Sequence, residues 1–339
     1  MPVPVLGPED EGRGLGRMRA KARAYTMQAL VKYHGLKDWR LRIPYHDSIS
    51  VNTDVAYVVA EVSFGDSEED VVMANGTPLT GRARERVVAV LDRVRELAGI
   101  EERAVVRTEN HPRVGAKGLG FSSAAGASIA MAAYAAAGLD RVYGRDLTLV
   151  SRIARLLAGS ACRSVVGKYA RWYAGTGDHD SYAVSFADER NLPLRFAIVP
   201  LGMEATTEEA HREAESSPYF LRRIEVANER CDRVERAIKE GDFRTFGAEV
   251  ERDSLELHAI TMTGNSGMIL MSPDTLRVIE LVKQMRRSGI EAYFSMQTGP
   301  TVYVNTLPEH IDEVAQRLRE AGYEVMVSGV GGGAELISS

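Results

Sequence analysis

Cysteine is scarce in this chain of 339 residues, which carries only Cys162 and Cys231. Two cysteines provide neither a disulfide framework nor the ligand set of a structural zinc site. A protein without a disulfide framework is typical of a reducing compartment, so we expect a cytoplasmic location.

Long hydrophobic runs are also missing. The most apolar stretch, residues 124–138, is rich in alanine and too short to span a bilayer. Residues 1–20 contain prolines, glycines and acids where a signal peptide would carry a basic start and an apolar segment, and we interpret them as a flexible arm. The sequence therefore predicts no association with a membrane.

An excess of positive charge is absent as well, because 42 lysines and arginines stand against 47 acidic residues, for a formal net charge of -5. Proteins that bind nucleic acid over a broad surface are normally basic, so we expect no nucleic-acid partner. Any anion site in this chain must be a focused pocket.

Length and periodicity predict an α+β protein of two domains, residues 21–191 and 192–339, because one core rarely grows to this size. Alternating apolar residues predict strands over residues 22–31, 49–52, 56–62, 104–108, 195–201, 292–296, 301–305 and 323–327. Helical spacing predicts helices over residues 82–97, 147–158, 217–239, 242–262, 274–288 and 308–321, with a further one starting at Ser122.

A glycine-rich turn leads into this last helix, through Gly118, Gly120, Ser122, Ser123, Ala124 and Gly126. Free N–H groups and the dipole at a helix start favour phosphate, and a serine hydroxyl can ligate magnesium. The segment lacks the Gly-Lys-Ser/Thr ending of a Walker A loop and the spacing of a dinucleotide fingerprint. We predict that it binds nucleotide phosphates, with Ser122 as a metal ligand. The alternative is a buried alanine helix whose glycines allow close packing.

Arg163 lies among small residues in the run Gly159-Ser160-Ala161-Cys162-Arg163-Ser164. Its planar group with five donors suits a carboxylate or a phosphate. The alternative is a helix start at which serines cap N–H groups and the arginine contacts a neighbouring acid.

Two further segments carry polar residues beside strands. Lys32, at the end of the first strand, can hold a phosphate, whereas His34 and His46 are more often structural. In the second segment, residues 293–301, Gly299 allows close backbone approach to a ligand, although the Gly-Pro pair also explains an ordinary turn.

Taken together, these segments resemble the GHMP kinase superfamily and, within it, the decarboxylases of mevalonate phosphates. The matching motifs are Lys-Tyr-x-Gly at 32–35, Gly-Leu-x-x-Ser-Ser-Ala-Ala-Gly at 118–126, the arginine run at 159–164 and Thr-Gly-Pro at 298–300. Residues 31–35, 44–51 and 302–306 are most similar to the archaeal-type phosphomevalonate decarboxylases. Leu36 stands where diphosphomevalonate decarboxylases usually carry a second lysine, which fits a smaller anionic tail.

The resemblance implies a two-domain GHMP-kinase-like fold, with a ribosomal S5 domain 2-like N-terminal part and a ferredoxin-like C-terminal layer, in a homodimer. It also implies that ATP, with Mg²⁺, phosphorylates the 3-hydroxyl of a phosphorylated mevalonate, and that this phosphate leaves as carbon dioxide departs. By motif matching, Arg163 grips the substrate carboxylate and Lys32 neutralises charge near the transferred phosphate. The implied substrate contacts are Tyr33, His34, Ser160 and Ser164.

Gln297 departs from the family pattern, which has a catalytic aspartate at this position. An amide neither accepts a proton near neutral pH nor carries negative charge. Three explanations are open: an introduced substitution, replacement by Asp178 or Asp180, or loss of the kinase step in an enzyme that decarboxylates mevalonate 3,5-bisphosphate. The motifs also suit a diphosphomevalonate decarboxylase, a simple small-molecule kinase, or a sensor that binds nucleotide and mevalonate phosphate without turnover.

Overall fold

Two layers of sheet and helix form the molecule, for which a computed structural model describes residues 18–112, 118–202 and 205–338. The strands are β1 (Arg19–Val31), β2 (Leu36–Asp38), β3 (Ile43–Pro44), β4 (Ser48–Phe64), β5 (Val71–Ala74), β6 (Thr77–Pro78), β7 (Ala104–His111), β8 (Tyr169–Tyr173), β9 (Tyr182–Ala187), β10 (Arg195–Val199), β11 (Ala292–Met296), β12 (Val302–Thr306), β13 (Met326–Ser328) and β14 (Glu335–Ile337). The helices are α1 (Gly81–Ala98), α2 (Phe121–Ala136), α3 (Leu139–Tyr143), α4 (Leu147–Arg155), α5 (Ala161–Val166), α6 (Thr207–Glu215), α7 (Phe220–Glu240), α8 (Phe243–Met262), α9 (Pro273–Arg287) and α10 (Ile311–Glu320).

The antiparallel pair of β1 and β4 forms the centre of the first sheet, whose order is β14-β1-β4-β7-β5-β6, with β8 beside β4 and β9 beside β8. Alternate residues are buried in the first half of β1, whereas every residue from Thr26 to Val31 is buried. The difference arises because α7 and α8, from the second half of the chain, also contact β1. Lys32 thus follows a strand that is covered on both faces.

The second sheet has the order β11-β12-β10-β13, and all of its neighbours are antiparallel. Val278 of α9 and Val314 of α10 pack on one face, and side chains of α7 and α8 pack on the other against Phe196 and Tyr303. This strand order is that of a ferredoxin-like layer, and the chain has the predicted α+β class.

The C-terminal strand returns to the first sheet, where β14 pairs with β1 and Val330 bridges to Thr53. The predicted division before residue 192 stays a prediction, and β14 lies beyond it in the chain while pairing with the first sheet. Of the predicted arm, residues 1–17 lie outside the described residues, and β1 begins at Arg19. No helix in the described ranges is long and apolar enough to cross a membrane.

Several element boundaries differ from the prediction, and β4, α4 and β13 are examples. β4 is one strand where two were expected, because register shifts in its pairing with β1 carry it through the polar residues Asn52 to Asp54. α4 ends at Arg155, and β13 begins at Met326. The later start of β13 follows a turn in which the Tyr323 N–H donates to the carbonyl oxygen of Leu318.

Candidate active site

A cleft of about 590 Å³ brings three of the four polar segments together. Lys32 and Tyr33 line it beyond the end of β1, Ser122 lines it from the start of α2, and Ser160 lines it just before α5. Residues of α1 and α6 lie on the cleft as well. Side chains that are distant in sequence therefore share one cavity.

The start of α2 follows a tight turn at Gly120, whose φ of 82° lies in the left-handed region. A Cβ at this position would stand 2.8 Å from the carbonyl oxygen of Met27 in β1, so both the turn and its close contact require glycine. The turn sets the first residues of α2 against the strand that leads to Lys32. Ser122 is exposed at the helix start, where its hydroxyl and the N–H groups of the first turn fit phosphate oxygens.

Three other residues of this segment have contacts within the protein. Gly118 accepts a hydrogen bond at its carbonyl oxygen from the Tyr303 hydroxyl (3.0 Å), which ties the segment to β12. Ala124 is fully buried, and a Cβ on Gly126 would stand 2.6 Å from that of Ala161 in α5. Ala124 and Gly126 thus have packing contacts with their neighbours, and their predicted contacts with the nucleotide stay predictions.

Lys32 is buried, and its backbone N–H donates to Asp253 Oδ2 (2.8 Å) of α8. Its ammonium lies 5.4 Å from the centre of the Tyr33 ring. Burial lowers the pKa of Lys32 to about 7, and the charge of Arg163 lowers it further than Asp253 raises it. An anion in the cleft would favour the charged form of this lysine.

Arg163 in α5 is fully buried, and none of its three guanidinium nitrogens has a hydrogen-bond partner among the described residues. The rings of Tyr33 and Trp172 flank it, each with its centre 5.9 Å away. A contact with a neighbouring acid was the alternative for this arginine, and no acid pairs with it in the described part of the chain. A buried guanidinium without partners is costly, so this site is built for an anion that the protein itself does not supply.

Serine hydroxyls surround the approach to Arg163. Ser123 and Ser160 form a hydrogen bond between their hydroxyl oxygens (2.5 Å), which links the starts of α2 and α5. The hydroxyl of Ser164 is buried and has no partner among the described residues. Ser160 lines the cleft, whereas Ser164 lies deeper, so the two predicted substrate contacts differ in depth.

Tyr33 and His34 hold the cleft wall in place. A Cβ on Gly159 would overlap the Tyr33 hydroxyl oxygen, so this glycine makes room for the tyrosine. His34 Nε2 lies 3.2 Å from the Thr298 hydroxyl oxygen. Burial lowers the pKa of His34 well below its usual value, with His211 adding to the effect, so the ring is neutral.

Gln297 follows β11 and does not appear among the described residues that line the cleft. Its amide Nε2 donates to the Met27 carbonyl oxygen (2.8 Å), and its own backbone oxygen lies 3.1 Å from His258 Nε2. The side chain thus joins the turn after β11 to β1, beside Gly120. In this geometry it acts as a hydrogen-bond donor, and it offers no proton acceptor in place of a carboxylate.

Neither aspartate proposed as a replacement is free to act as a base. Asp178 forms ion pairs with Arg152 (2.5 Å) and with the buried Arg155 (2.5 Å). Asp180 accepts hydrogen bonds from the N–H groups of Thr176 and Gly177, and these bonds stabilise the loop of residues 176–180. We correct this hypothesis, because both carboxylates hold local structure and neither lines the described part of the cleft.

A group of ionisable residues on the cleft was not predicted from the sequence, and it includes Arg42, Arg82, Arg86, Glu208 and His211. Arg82 and Arg86 are four residues apart on α1, and this spacing on one helix face was a readable signal. Glu208 lies more than 100 positions away in sequence, on α6, and pairs with both arginines. Only the fold brings these groups together.

Comparisons with known proteins agree with this geometry. Residues 24–183 match the diphosphomevalonate decarboxylase-like N-terminal domain, and residues 203–326 match the mevalonate 5-diphosphate decarboxylase C-terminal domain. A phosphomevalonate decarboxylase of Haloferax volcanii is 39% identical over 324 residues, which cover 94% of this chain and 98% of the relative. A mevalonate 3,5-bisphosphate decarboxylase of Thermoplasma acidophilum is 26% identical, with 88% and 73% of the two chains covered.

Solved structures are similar over almost the whole chain. The complex of MDDEF with MVAPP, AMPPCP and magnesium has a TM-score of 0.88 at 28% identity, covering 95% of this chain and 99% of that one. The mevalonate diphosphate decarboxylase of Staphylococcus aureus has a TM-score of 0.86 at 28% identity, with 94% and 98% covered. Fold and site thus define a GHMP-kinase-like enzyme, as the sequence predicted. The chain belongs to the mevalonate decarboxylase family of carboxy-lyases.

Proposed function

We propose that this enzyme catalyses the ATP-dependent decarboxylation of (R)-mevalonate 5-phosphate to isopentenyl phosphate, ADP, phosphate and carbon dioxide, in a mevalonate pathway. The observation that carries the proposal is Arg163, a fully buried guanidinium without partners among the described residues, next to a cleft that holds Lys32 and the start of α2. The phosphomevalonate decarboxylase of Haloferax volcanii supports the choice of substrate.

The proposed reaction has two steps, a phosphoryl transfer and a decarboxylation. The 3-hydroxyl oxygen of the substrate attacks the γ-phosphorus of ATP, its proton passes to an oxygen of the transferred phosphoryl group, and ADP leaves. The bond between the carboxylate carbon and C2 then breaks, and its electrons form the C2–C3 double bond. The C3–O bond breaks at the same time, which releases phosphate and carbon dioxide.

The residues of the cleft have separate roles in these steps. Arg163 holds the carboxylate through two parallel hydrogen bonds, and Ser160 and Ser164 contact the substrate beside it. Lys32, in its charged form, neutralises the transferred phosphoryl group. His34 and Tyr33 fix the wall against which the substrate lies.

The start of α2 holds the nucleotide. Ser122 is exposed there with the N–H groups of the first turn, and Ser123 is fixed by Ser160, so the residues present fit phosphate oxygens and one hydroxyl ligand for Mg²⁺. The ion, when bound, offsets the charge of the phosphates. The complex with AMPPCP and magnesium supports both groups for this family. A homodimer, which the resemblance implies, stays a prediction.

Gln297 favours a second candidate, an ATP-independent decarboxylase of mevalonate 3,5-bisphosphate. That substrate already carries the 3-phosphate, so no group has to take the hydroxyl proton. The donor geometry of Gln297 suits this reaction, and the Thermoplasma acidophilum relative supports it. The relative that supports the first candidate is 39% identical to this chain, whereas the relative that supports the second is 26% identical.

Comparison of two substrates separates the candidates. Carbon dioxide and phosphate release is measured from mevalonate 5-phosphate, with and without ATP and Mg²⁺, and from mevalonate 3,5-bisphosphate without ATP. The unchanged chain is compared with Gln297→Asp, and Gln297→Asn serves as the matched control without charge. ATP-dependent release that rises with aspartate and not with asparagine supports the proposal. Release from the bisphosphate alone supports the second candidate, and nucleotide binding without release from either substrate supports a sensor.

A further inference from the structure

Two serine hydroxyls of β4 are buried without partners in the first sheet. Ser48 and Ser50 are fully buried, and neither hydroxyl oxygen has a hydrogen-bond partner among the described residues. The two residues are two positions apart in a strand, so their side chains lie on the same face of the sheet. A buried hydroxyl without a partner is costly, so this pair points to a group that the described chain does not supply.

Strand pairing places this face of β4 against α5. Ser48 lies opposite Trp172 in β8, and the ring of Trp172 flanks Arg163 with its centre 5.9 Å away. Directly opposed residues of two strands have their side chains on the same face. Asn52, the next residue on this face after the two serines, donates from Nδ2 to the carbonyl oxygen of Ser164 in α5 (3.2 Å). The two serine hydroxyls therefore lie on the face that α5 covers.

Short side chains and unpartnered polar groups surround Ser50. Its partners in the neighbouring strands are Ala29 of β1 and Ala170 of β8, and alanine side chains leave room beside the hydroxyl. In α5, the hydroxyl of Ser164 and the three guanidinium nitrogens of Arg163 are also buried without partners within the described ranges. We refer to four residues together as the α5 polar group: Ser48, Ser50, Arg163 and Ser164.

The charge of the α5 polar group is positive and is not compensated. An arginine guanidinium stays protonated in proteins, and no carboxylate pairs with Arg163 in the part of the chain that the structure describes. Water can accept hydrogen bonds from these donors, but it leaves the charge buried, whereas an anion both accepts the hydrogen bonds and neutralises the charge. The hydroxyls can donate as well, so all four side chains suit an anion.

We propose that the α5 polar group binds a small inorganic anion such as chloride when no substrate is present, and that the substrate carboxylate displaces it. The site lies behind Tyr33, which lines the cleft and flanks Arg163. Chloride then weakens substrate binding by competition. The displacement rests on the proposed function, in which Arg163 holds the substrate carboxylate, whereas the anion site itself does not.

Unfolding by urea tests the anion site without any substrate. The folding equilibrium is measured at constant ionic strength while chloride replaces the bulky anion morpholinoethanesulfonate. An anion that binds only the folded chain shifts this equilibrium by a factor of 1 + [L]/Kd, so about 0.1 M chloride and a Kd of about 10 mM give about a tenfold shift. We expect Ser50→Ala to reduce the shift to about threefold or less, and Arg163→Met to abolish it.

Ser128→Ala is the matched control for the loss of a buried hydroxyl. Ser128 is as buried as Ser50, but its hydroxyl donates to the Ala125 carbonyl oxygen of its own helix (3.2 Å). This variant should keep the full chloride shift. Crystals of the substrate-free protein grown with bromide locate the anion, and we expect an anomalous peak within hydrogen-bond distance of Arg163 and the Ser50 hydroxyl.

Competition with the substrate tests the displacement. The affinity of mevalonate 5-phosphate is measured by calorimetry without nucleotide in the same two salts. We expect about 0.1 M chloride to lower this affinity about tenfold in the unchanged chain and by less in Ser50→Ala. A chloride shift in folding without any loss of substrate affinity contradicts the displacement and the proposed carboxylate contact of Arg163.

The remaining outcomes decide the anion site. No chloride shift in the unchanged chain, or equal shifts in Ser50→Ala and Ser128→Ala, overturns the site, and the proposed function stands if mevalonate 5-phosphate still binds. A bromide peak elsewhere and none at Arg163 also overturns it. Ser48→Ala supplies the comparison if Ser50→Ala does not fold.

Discussion

Arg163 carries a charge in the core that nothing in the described chain neutralises. Proteins keep such a group only where it has a use, because an apolar side chain of similar size would be more stable there. The flanking rings of Tyr33 and Trp172 give the guanidinium a partial compensation through cation–π contact. At the scale of single residues, the carboxylate contact that we propose for Arg163 would explain why the protein keeps a buried charge at a cost in stability.

Arg163→Met tests this trade directly. We expect the free energy of unfolding to rise by about 1–4 kcal/mol, because an unpaired buried charge is replaced by an apolar chain. Turnover should be lost in the same protein. Chemical denaturation and carbon dioxide release measure the two quantities, with Arg190→Met on an exposed loop as the control. A destabilised variant would show that Arg163 has structural partners.

Lys32 gives the binding reaction a pH dependence. Its pKa of about 7 in the folded protein means that the side chain is mostly neutral at pH 8. An anionic ligand raises this pKa, so binding at pH 8 should take up a proton, at most about one. Calorimetry in buffers of different ionisation enthalpy measures the uptake. Lys32→Arg, which stays charged, should bind without it, and equal uptake by the variant would assign the proton to another group.

At the scale of elements, the start of α2 depends on the turn at Gly120. Gly120→Ala should lower the free energy of unfolding by about 1 kcal/mol for its left-handed backbone and by a further ~2 kcal/mol for overlap with the Met27 carbonyl oxygen. Gly76→Ala is the matched control, because Gly76 has the same φ of 82° and no atom within 4 Å of a built Cβ. Only the Gly120 variant should lose affinity for an ATP analogue. Equal losses of stability in the two variants would contradict the role of the close contact.

Sequence patterns predicted those parts of the elements that depend on neighbouring residues. The strand before Lys32 and the glycine turn before α2 were readable, because periodicity and backbone conformation are local properties. The continuity of β4 was not readable, because it depends on bulges in the pairing with β1. The convergence of Arg42, Arg82 and Glu208 was also hidden, since it arises from contacts between segments far apart in the chain.

At the scale of the whole molecule, β14 forms one edge of the first sheet, where it pairs with β1. A chain that ends after Gly329 loses β14, the buried Ala334 and the contact between Gly333 and Gly167. We expect its free energy of unfolding to fall by about 3 kcal/mol or more, because three ladder pairs and a core residue are lost. A chain that ends after Ile337 is the control. Faster hydrogen exchange in β1 of the shortened chain would show that the stability is lost at the edge of the first sheet. Unchanged exchange would contradict the stabilising role of β14.

The products of one turnover, counted together, give the sharpest test of the proposed reaction. The unchanged chain is mixed with mevalonate 5-phosphate labelled at its carboxylate carbon, ATP and Mg²⁺, and carbon dioxide, ADP and phosphate are counted over time. We expect equal amounts of all three and none without ATP. ADP without carbon dioxide would identify a kinase, and carbon dioxide without ADP would identify decarboxylation that does not use ATP. Either result would contradict the proposed reaction.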